Sequence, residues 1–288
     1  QVGGWSRPQL RLDLAQSANP LLGDWLAQLR LQPQLLELVR LRSEPLEASG
    51  RLPLRPTGSL DLDLDLHQFP LERLSALLGT RLRGSLDAWG TLRGPLDRLQ
   101  PDLDLLVRDP GAGPLLLLET WRGALQGAPG GGGRVQMQAL SPAQPGQLQA
   151  QLDRRWMPSF ASLVRQGGKL AFAGSPRRYN WDAAAFPLTG LQFALGPSGA
   201  FQPLEGALTG QGHLDLQPLW ISGEISLDRP QLLGFYGRSL TASGSFRNQR
   251  YSAQGRWLGN SDDNVDLRLR GEQGGALWAR FEARQFGS

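Results

Sequence analysis

Three acidic residues spaced two apart are the first feature of this sequence that could do chemistry. Asp61, Asp63 and Asp65, followed by Glu72, occupy positions 1, 3, 5 and 12 of a calcium-binding EF-hand loop. That loop needs Gly at its sixth position for a sharp turn, and the sixth residue here is Leu66. The residues between the carboxylates are all Leu, so apolar and acidic side chains alternate. Period two predicts a β-strand with one apolar and one acidic face rather than a calcium site.

Other catalytic and cofactor-binding motifs are missing from the sequence. His213 and Asp215 could hold a metal from one strand face, but no third ligand is identifiable. Gly168-Lys169 is followed by Leu170, so there is no phosphate-binding Walker loop, and Gly-x-Ser-x-Gly does not occur. With two His and no Cys, histidine- or thiolate-based catalysis has little to draw on. We therefore expect no enzymatic activity and no cofactor.

The composition predicts a folded, all-β chain. Of its 288 residues, 40% are hydrophobic and 19% charged, and 37 Gly and 21 Pro punctuate the chain as turns between many short strands do. The formal charge is +4, but the Arg residues are spread singly, and no basic block suggests nucleic acid. The sequence starts at Gln1 and has no apolar run long enough for a membrane-spanning helix. We expect a fragment or processed product whose targeting signal or anchor lies outside it.

Alternating strings like the one around Asp63 recur along the chain. Examples are Leu10–Leu14, Leu103–Leu105, His213–Leu216 and Val265–Leu269. Each has one apolar and one mainly polar face. A sandwich or small barrel would bury the apolar face, a membrane barrel would turn it to lipid, and an open groove would offer it to an apolar ligand. Strands of about ten residues with aromatic belts are not evident, which disfavours the membrane barrel. The pattern alone favours a closed core over a groove.

Two longer stretches repeat. The pattern Phe-Pro-Leu-x-x-Leu-x-x-x-Leu-Gly occupies 69–79 and 186–196, and Leu-x-Gly-x-Leu-x-x-x-Gly-x-Leu occupies 82–92 and 204–214. In the first copy, Pro70 can begin a short helix and Gly79 can end it. A strand pair is expected next, from Arg81 to Ala88 and on toward Leu92. We assign 1–126 to a first segment with a helix near 70–78, 127–146 to a Gly/Pro-rich loop, and 147–288 to a second, continuous segment.

The first copy carries a resemblance to a known family. The stretch from Phe69 to Leu96, running on to Pro101-Asp-Leu-Asp-Leu105, resembles the repeating unit of the TamB family, relatives of the AsmA-like envelope proteins. The shared features are the short helix, a strand with Leu-x-Gly-x-Leu, a second strand ending in Gly-Pro-Leu, and a Leu-x-Leu return strand. The resemblance is clear over about 50–108 and weaker over 186–228.

The resemblance implies a fold and a role. It implies a curved, open-sided β-sheet with a hydrophobic interior, a β-taco. TamB-like proteins are long periplasmic proteins anchored in the inner membrane that reach the outer membrane and often partner a BamA-like barrel, TamA; plastid relatives also exist. They are linked to moving phospholipids between membranes and to assembling outer-membrane proteins. We expect the family's anchor and terminal partner-binding segment to lie outside this sequence.

We therefore expect an all-β, curved open groove of roughly 14 strands at ~4.8 Å spacing, with one or two short capping helices. The leading hypothesis is a bridge that shields phospholipid acyl chains between the two envelope membranes. A scaffold that pairs sheet edges with client strands is the alternative, and a carbohydrate-binding β-solenoid is a third. The residues expected to line the groove are Leu60, Leu62, Leu64, Leu66, Leu82, Leu86, Leu92, Leu103, Leu105, Leu214, Leu216, Ile225, Leu227, Val265, Leu267 and Leu269.

Overall fold

The computed structural model describes most of the chain as one open antiparallel β-sheet. The described residues are 10–32, 35–55, 58–78, 81–141, 145–175, 178–194, 200–216, 219–232, 234–247, 250–259, 263–272 and 277–284. They form 22 strands, a 3₁₀ turn and a four-residue helix α1. The all-β fold predicted from the sequence is confirmed, and the sheet does not close into a barrel.

The first half of the chain contributes eleven strands and both helical pieces. These are β1 Leu10–Asn19, β2 Gly23–Leu31, β3 Leu35–Ser43, β4 Leu46–Pro53, β5 Ser59–Pro70, the 3₁₀ turn Leu71–Leu74, α1 Ser75–Leu78, β6 Leu82–Pro95, β7 Gln100–Ala112, β8 Leu115–Leu117, β9 Thr120–Gly127, β10 Gly133–Ala139 and β11 Gly146–Leu152. The second half contributes β12 Pro158–Arg165, β13 Gly168–Ser175, β14 Arg178–Pro187, β15 Leu191–Ala194, β16 Phe201–Pro203, β17 Glu205–Leu216, β18 Leu219–Leu232, β19 Phe235–Arg247, β20 Arg250–Gly259, β21 Asn264–Glu272 and β22 Leu277–Arg284.

Most strands pair in chain order. The exceptions are that β7 pairs with β9 and β14 with β17, which leaves three short strands, β8, β15 and β16, outside the main succession. Every pairing is antiparallel, so successive connections alternate between two edges of the sheet. The three short strands and the helical turn at 71–78 all lie at one of these edges, the end of β7 and β14, which we call the clasp edge. The opposite edge carries the ends of β4, β6, β11 and β19, and we call it the turn edge.

The clasp is formed by β8 and the β15–β16 hairpin. β8 pairs with β7 on one side and with β15 on the other, in the registers Gly111↔Leu116 and Gln192↔Leu116. Strands β8 and β9 both pair with β7, at different points along it. The next strand outward is β15 in the case of β8 and β10 in the case of β9, so β15 lies in line with β10. In a flat sheet, β14 would lie about 19 Å from that place, four strand spacings away. The link from Pro187 to Leu191 can span at most about 13 Å, so the sheet is curved here and the hairpin covers the strand ends.

One face of this curved sheet is apolar and more buried than the other. On β14, Tyr179 is 5% exposed and Ala183 5% exposed, whereas their neighbours Asn180 and Asp182 are exposed. The same alternation of half-buried and exposed positions runs through β20. Apart from the clasp, no second layer of secondary structure covers the apolar face in the part of the chain that the structure describes. The clasp contributes to the difference, since Leu191 of β15 packs in one cluster with Ala183 and Leu170 of this face.

The sequence repeat has a structural counterpart. Phe69 and Phe186 are 6% and 2% exposed. Each follows a β-bulge, and the residue directly before each Phe has positive φ: 44° for Gln68 and 45° for Ala185. The bulged N–H of Gln68 donates to Asp87, and that of Ala185 donates to Thr209, the equivalent residue of the second copy. Each copy thus holds its bulge with a side chain from the next strand.

The two copies differ at the clasp edge. The first continues into the helical turn, while the second, where Gly190 interrupts the pattern, continues into β15 and β16. The predicted helix end at Gly79 and the second-copy residues Leu195 and Gly196 lie outside the described residues.

Three sequence-based expectations need correction. The strand pair predicted from Arg81 to Leu92 is one 14-residue strand, β6, because Gly84 bulges without reversing the chain. The predicted loop 127–146 contains β10. Polar and apolar residues alternate from Arg134 to Gln138, but the glycines that flank them favour a loop in the sequence. The expected 14 strands are too few, since 22 lie in the described ranges.

Candidate functional site: an apolar trough

A continuous row of apolar residues crosses the whole sheet on its inner face. We call it the central row. From β1 to β22 it runs Leu14, Ala27, Leu41, Ala48, Leu64, Gly90, Leu103, Leu125, Val135, Ala150, Ala161, Phe172, Trp181, Gly212, Gly223, Gly244, Ala253, Leu269 and Ala279. No polar side chain interrupts it, so the inner face is an apolar trough from one lateral edge of the described sheet to the other.

A second row runs parallel to it on the clasp side. From β4 to β21 it consists of Leu46, Leu66, Ala88, Leu105, Gly123, Met137, Leu148, Leu163, Leu170, Ala183, Gly210, Ile225, Ala242, Gly255 and Leu267. Two unbroken rows make the trough at least two residues wide, because same-face neighbours along a strand lie two residues apart.

Most residues that the sequence predicted for the groove lie on this inner face. Leu64, Leu103 and Leu269 are in the central row, and Leu66, Leu105, Ile225 and Leu267 are in the clasp-side row. Toward the turn edge lie Leu60, Leu62, Leu92 and Leu214, and toward the clasp edge lie Leu86, Leu227 and Val265.

Two predicted residues stand apart from this face. Leu82 pairs with Ala112 beyond the bulge at Gly84, which separates it from the regular alternation. The backbone of Leu216 pairs with Leu219, but its side chain lies outside the described residues.

The middle of the trough was missed by the sequence reasoning. Leu125, Val135, Ala150 and Phe172 belong to the central row on short strands whose inner residues are small or interspersed with Gln. The alternation Leu148-Gln-Ala-Gln-Leu152 was the available signal. This alternation is weak evidence for a strand in the sequence because the neighbouring segments are rich in Gly and Pro, which favours loops.

The trough is filled beneath the clasp. Glu119, between β8 and β9, forms an ion pair with Arg165 at the end of β12, and both side chains are 2% exposed. Trp121 is 4% exposed and lies against Gly146, where an added Cβ would come within 2.6 Å of the indole. Burial raises the pKa of Glu119, and the nearby Arg165 guanidinium opposes that rise. A buried ion pair that loses one partner leaves an uncompensated charge, so removing either side chain should destabilise the region beneath the clasp.

Small residues form the floor of the trough beyond the clasp. Gly212, Gly223 and Gly244 are consecutive in the central row. The indole of Trp181 lies across the first two of them, since a Cβ at Gly212 would be 2.6 Å from Trp181 Nε1 and one at Gly223 would be 2.5 Å from Cζ2. These glycines therefore make room for an aromatic ring that covers the floor where the clasped part meets the open part.

The face of the sheet opposite this glycine floor is polar. Two cavities of about 920 and 900 Å³ lie on that outer face along β14 and β17–β21. Among the groove residues predicted from the sequence, only Ile225, Leu267 and Leu269 border them. The side chains around the cavities belong to the alternate, outward-facing positions, such as Asp182, Ser243 and Gln254. The outer face of this half of the sheet therefore carries hydroxyl, amide, guanidinium and carboxylate groups around two open cavities.

The acidic and histidine residues considered for metal binding are on the outer face with other partners. Asp61 pairs with Arg93 at 2.9 Å, and Asp65 lies 3.1 Å from His67. His213 Nδ1 is 2.6 Å from Asn180 Oδ1, and Asp215 accepts a hydrogen bond from Arg178. Among the residues that the structure describes, no group of three His, Asp or Glu side chains could hold a metal ion.

The described residues contain no helix long and apolar enough to cross a membrane. Comparison with protein-family models, with curated proteins and with solved structures found no match for this chain.

Proposed function

We propose that this chain is a segment of a bridge that carries acyl lipids, with the tails shielded in the trough and the headgroups in solvent at an edge. The observation that carries the proposal is the central row, which stays apolar from β1 to β22; among the described elements only the clasp packs over part of this face. A closed core would need a second sheet or helices over this face. The sequence resemblance to the TamB family supports the same role.

The energetics favour such a conduit. A phospholipid with ~30 methylenes loses about 25 kcal/mol of favourable burial if its tails enter water, at about 0.8 kcal/mol for each methylene. A trough that contacts the tails on its floor and sides removes much of that barrier. Headgroups need no protein cavity, because they remain hydrated above the edge.

The dimensions fit a segment of a longer path. The main succession contains 19 strands, the 22 strands less β8, β15 and β16. At ~4.8 Å between strands, the central row is about 86 Å long. We propose that the chain belongs to a longer inner-membrane-anchored protein of the periplasm, in which regions outside this chain would contact a BamA-like barrel such as TamA.

The first experiment asks whether lipid is carried. Mass spectrometry of the purified protein should find bound phospholipid, and the protein should transfer labelled phospholipid between vesicles. Replacing Leu64 and Leu86 with Arg should abolish transfer while circular dichroism still reports β-sheet. Purified protein without bound lipid and without transfer activity would refute the proposal.

A second candidate function is edge pairing with client strands during outer-membrane protein assembly. It is favoured by β1, which pairs only with β2 in the described residues and exposes Leu10, Leu12 and Leu14 by 53%, 40% and 47%. An unpaired, apolar edge strand is a template for strand addition. Hydrogen exchange separates the two functions: an added client strand should protect the amides of β1, whereas lipid in the trough should leave that edge unchanged.

A further inference from the structure

We propose that the turn edge selects lipids with anionic headgroups, through arginines that the fold leaves free there. This inference rests on the proposed lipid-carrying function and adds the substrate class. It follows from a comparison of the hydrogen bonds and ion pairs that arginines make at the two edges.

Four arginines at the clasp edge are engaged by the fold itself. Arg73 donates to the backbone oxygen of Leu21, and Arg83 donates to that of Gly113 while lying over the ring of Phe201. Arg108 pairs with Asp87, and Arg165 with Glu119.

Carboxylates remain exposed at the same edge. Glu44 is 87% exposed and lies 3.7 Å from Arg73, and Glu72, Asp109 and Glu205 are exposed as well. The clasp edge therefore presents carboxylates to solvent beside the engaged arginines.

The turn edge shows the opposite arrangement. Arg154 and Arg155, between β11 and β12, are exposed and have no ion pair among the described residues. The adjacent Asp153 forms no ion pair with either arginine; its Oδ1 accepts the backbone N–H groups of Arg155 at 2.8 Å and Met157 at 3.0 Å. This turn therefore directs two guanidinium groups into solvent beside the trough.

The same excess of cations occurs elsewhere along this edge. Near β4, a cross-strand row on the outer face reads Arg30, Glu37, Arg51, Asp61 and Arg93. Its two carboxylates pair with the outer arginines, at 3.2 Å for Arg30 and 2.9 Å for Arg93, so Arg51 is the excess cation.

A third site lies at the end of β19. The guanidinium of Arg247 lies over the ring of Trp220, 5.6 Å from its centroid, and faces Arg250 across the hairpin. Arg250 is in turn opposite Glu272.

Free guanidinium groups at the edge of an apolar trough match an anionic phospholipid. Arginine binds phosphate oxygens through two parallel hydrogen bonds, and such charge-assisted bonds are about twice as strong as neutral ones. The indole of Trp156 lies beside Arg154 and Arg155 in sequence and packs against Gly133, where an added Cβ would be 3.0 Å from the ring. An aromatic ring next to arginines suits the boundary between acyl chains and headgroups.

The test is a competition within one membrane. Donor vesicles contain phosphatidylglycerol and phosphatidylcholine in equal amounts with the same acyl chains, and mass spectrometry measures both lipids in acceptor vesicles. Because both lipids leave the same donor surface, adsorption of the protein to the membrane cancels from the ratio. We expect the wild type to deliver about tenfold more phosphatidylglycerol, which corresponds to about 1.4 kcal/mol, and R154Q/R155Q to bring the ratio near one.

A matched variant controls for the change in net charge. R122Q/K169Q removes two positive charges from exposed positions of β9 and β13 away from the turn edge, and it should keep the wild-type ratio. Equal delivery of both lipids by the wild type, or an unchanged preference in R154Q/R155Q, would overturn the headgroup proposal. Failure of the wild type to deliver either lipid would instead count against the lipid-carrying function.

Discussion

A single charge placed in the central row should block the trough. Leu125 is half-buried in the row between Leu103 and Val135, and Leu125→Arg puts a guanidinium where acyl chain would pass. If about four methylenes of one acyl chain lose their apolar contact there, roughly one strand spacing of path, the barrier rises by about 3 kcal/mol at ~0.8 kcal/mol each. That increase corresponds to about 200-fold slower transfer at 1.4 kcal/mol per factor of ten.

The assay is vesicle-to-vesicle transfer of a labelled phospholipid, with Gln136→Arg as the matched variant. Gln136 is exposed on the outer face of neighbouring β10, so this variant gains the same charge outside the trough. It should transfer at the wild-type rate. Thermal unfolding of both variants checks that slow transfer is not due to loss of the fold. If Leu125→Arg, still folded, transferred lipid within threefold of Gln136→Arg, the central row would not be the path.

Three further predictions test the fold around the trough. Gly223→Ala should lower the free energy of unfolding in urea by about 1–3 kcal/mol, because the new Cβ would meet the Trp181 indole at 2.5 Å. Asp87→Asn should destabilise the protein at neutral pH, and the difference from wild type should shrink as pH falls below about 4. Cysteines replacing Leu116 and Gln192 should form a disulfide across the clasp, since these residues are register partners and the chain has no other Cys.

The sign of the Asp87 prediction follows from its contacts. Burial alone would raise the pKa of Asp87, but the Gln68 N–H at 2.6 Å and the Arg108 guanidinium at 2.5 Å outweigh it and lower that pKa. A carboxylate with a lowered pKa stabilises the fold above its unfolded pKa and loses that contribution as pH falls through the folded pKa. An Asp87→Asn difference that stayed constant down to pH 2 would contradict this account.

The other two predictions have their own controls. Gly130→Ala should be close to neutral, because nothing lies within 4 Å of the Cβ it would add. A large destabilisation there, equal to that at Gly223, would mean that ring contact with Trp181 is not the cause. For the clasp, absence of the disulfide under oxidising conditions would contradict the β8–β15 pairing, and Gln138→Cys with Gln192→Cys should give no disulfide in the monomer.

Several features of this protein are readable from the sequence alone. Strict alternation, as in Leu60 to Leu66, requires one apolar and one polar face on each strand because successive side chains point to opposite sides. The repeated Phe-Pro-Leu segments at 69–71 and 186–188 mark equivalent positions of the two copies, whereas the bulges before them, at Gln68 and Ala185, were not predicted. The alternation and the repeat are local properties, set by side-chain periodicity and backbone preference within a few residues.

Tertiary structure alone decided how these faces join into one trough. Strand register aligns Leu64 with Gly90, and Trp181 with Gly212, although no local pattern specifies which residue of one strand meets which of the next. The Glu119–Arg165 pair joins positions 46 residues apart. Likewise, only the fold shows that Arg108 and Arg165 are held by carboxylates while Arg154 and Arg155 have no ion pair among the described residues. The sequence fixes which side of each strand is apolar, and long-range pairing and curvature turn those sides into a continuous surface.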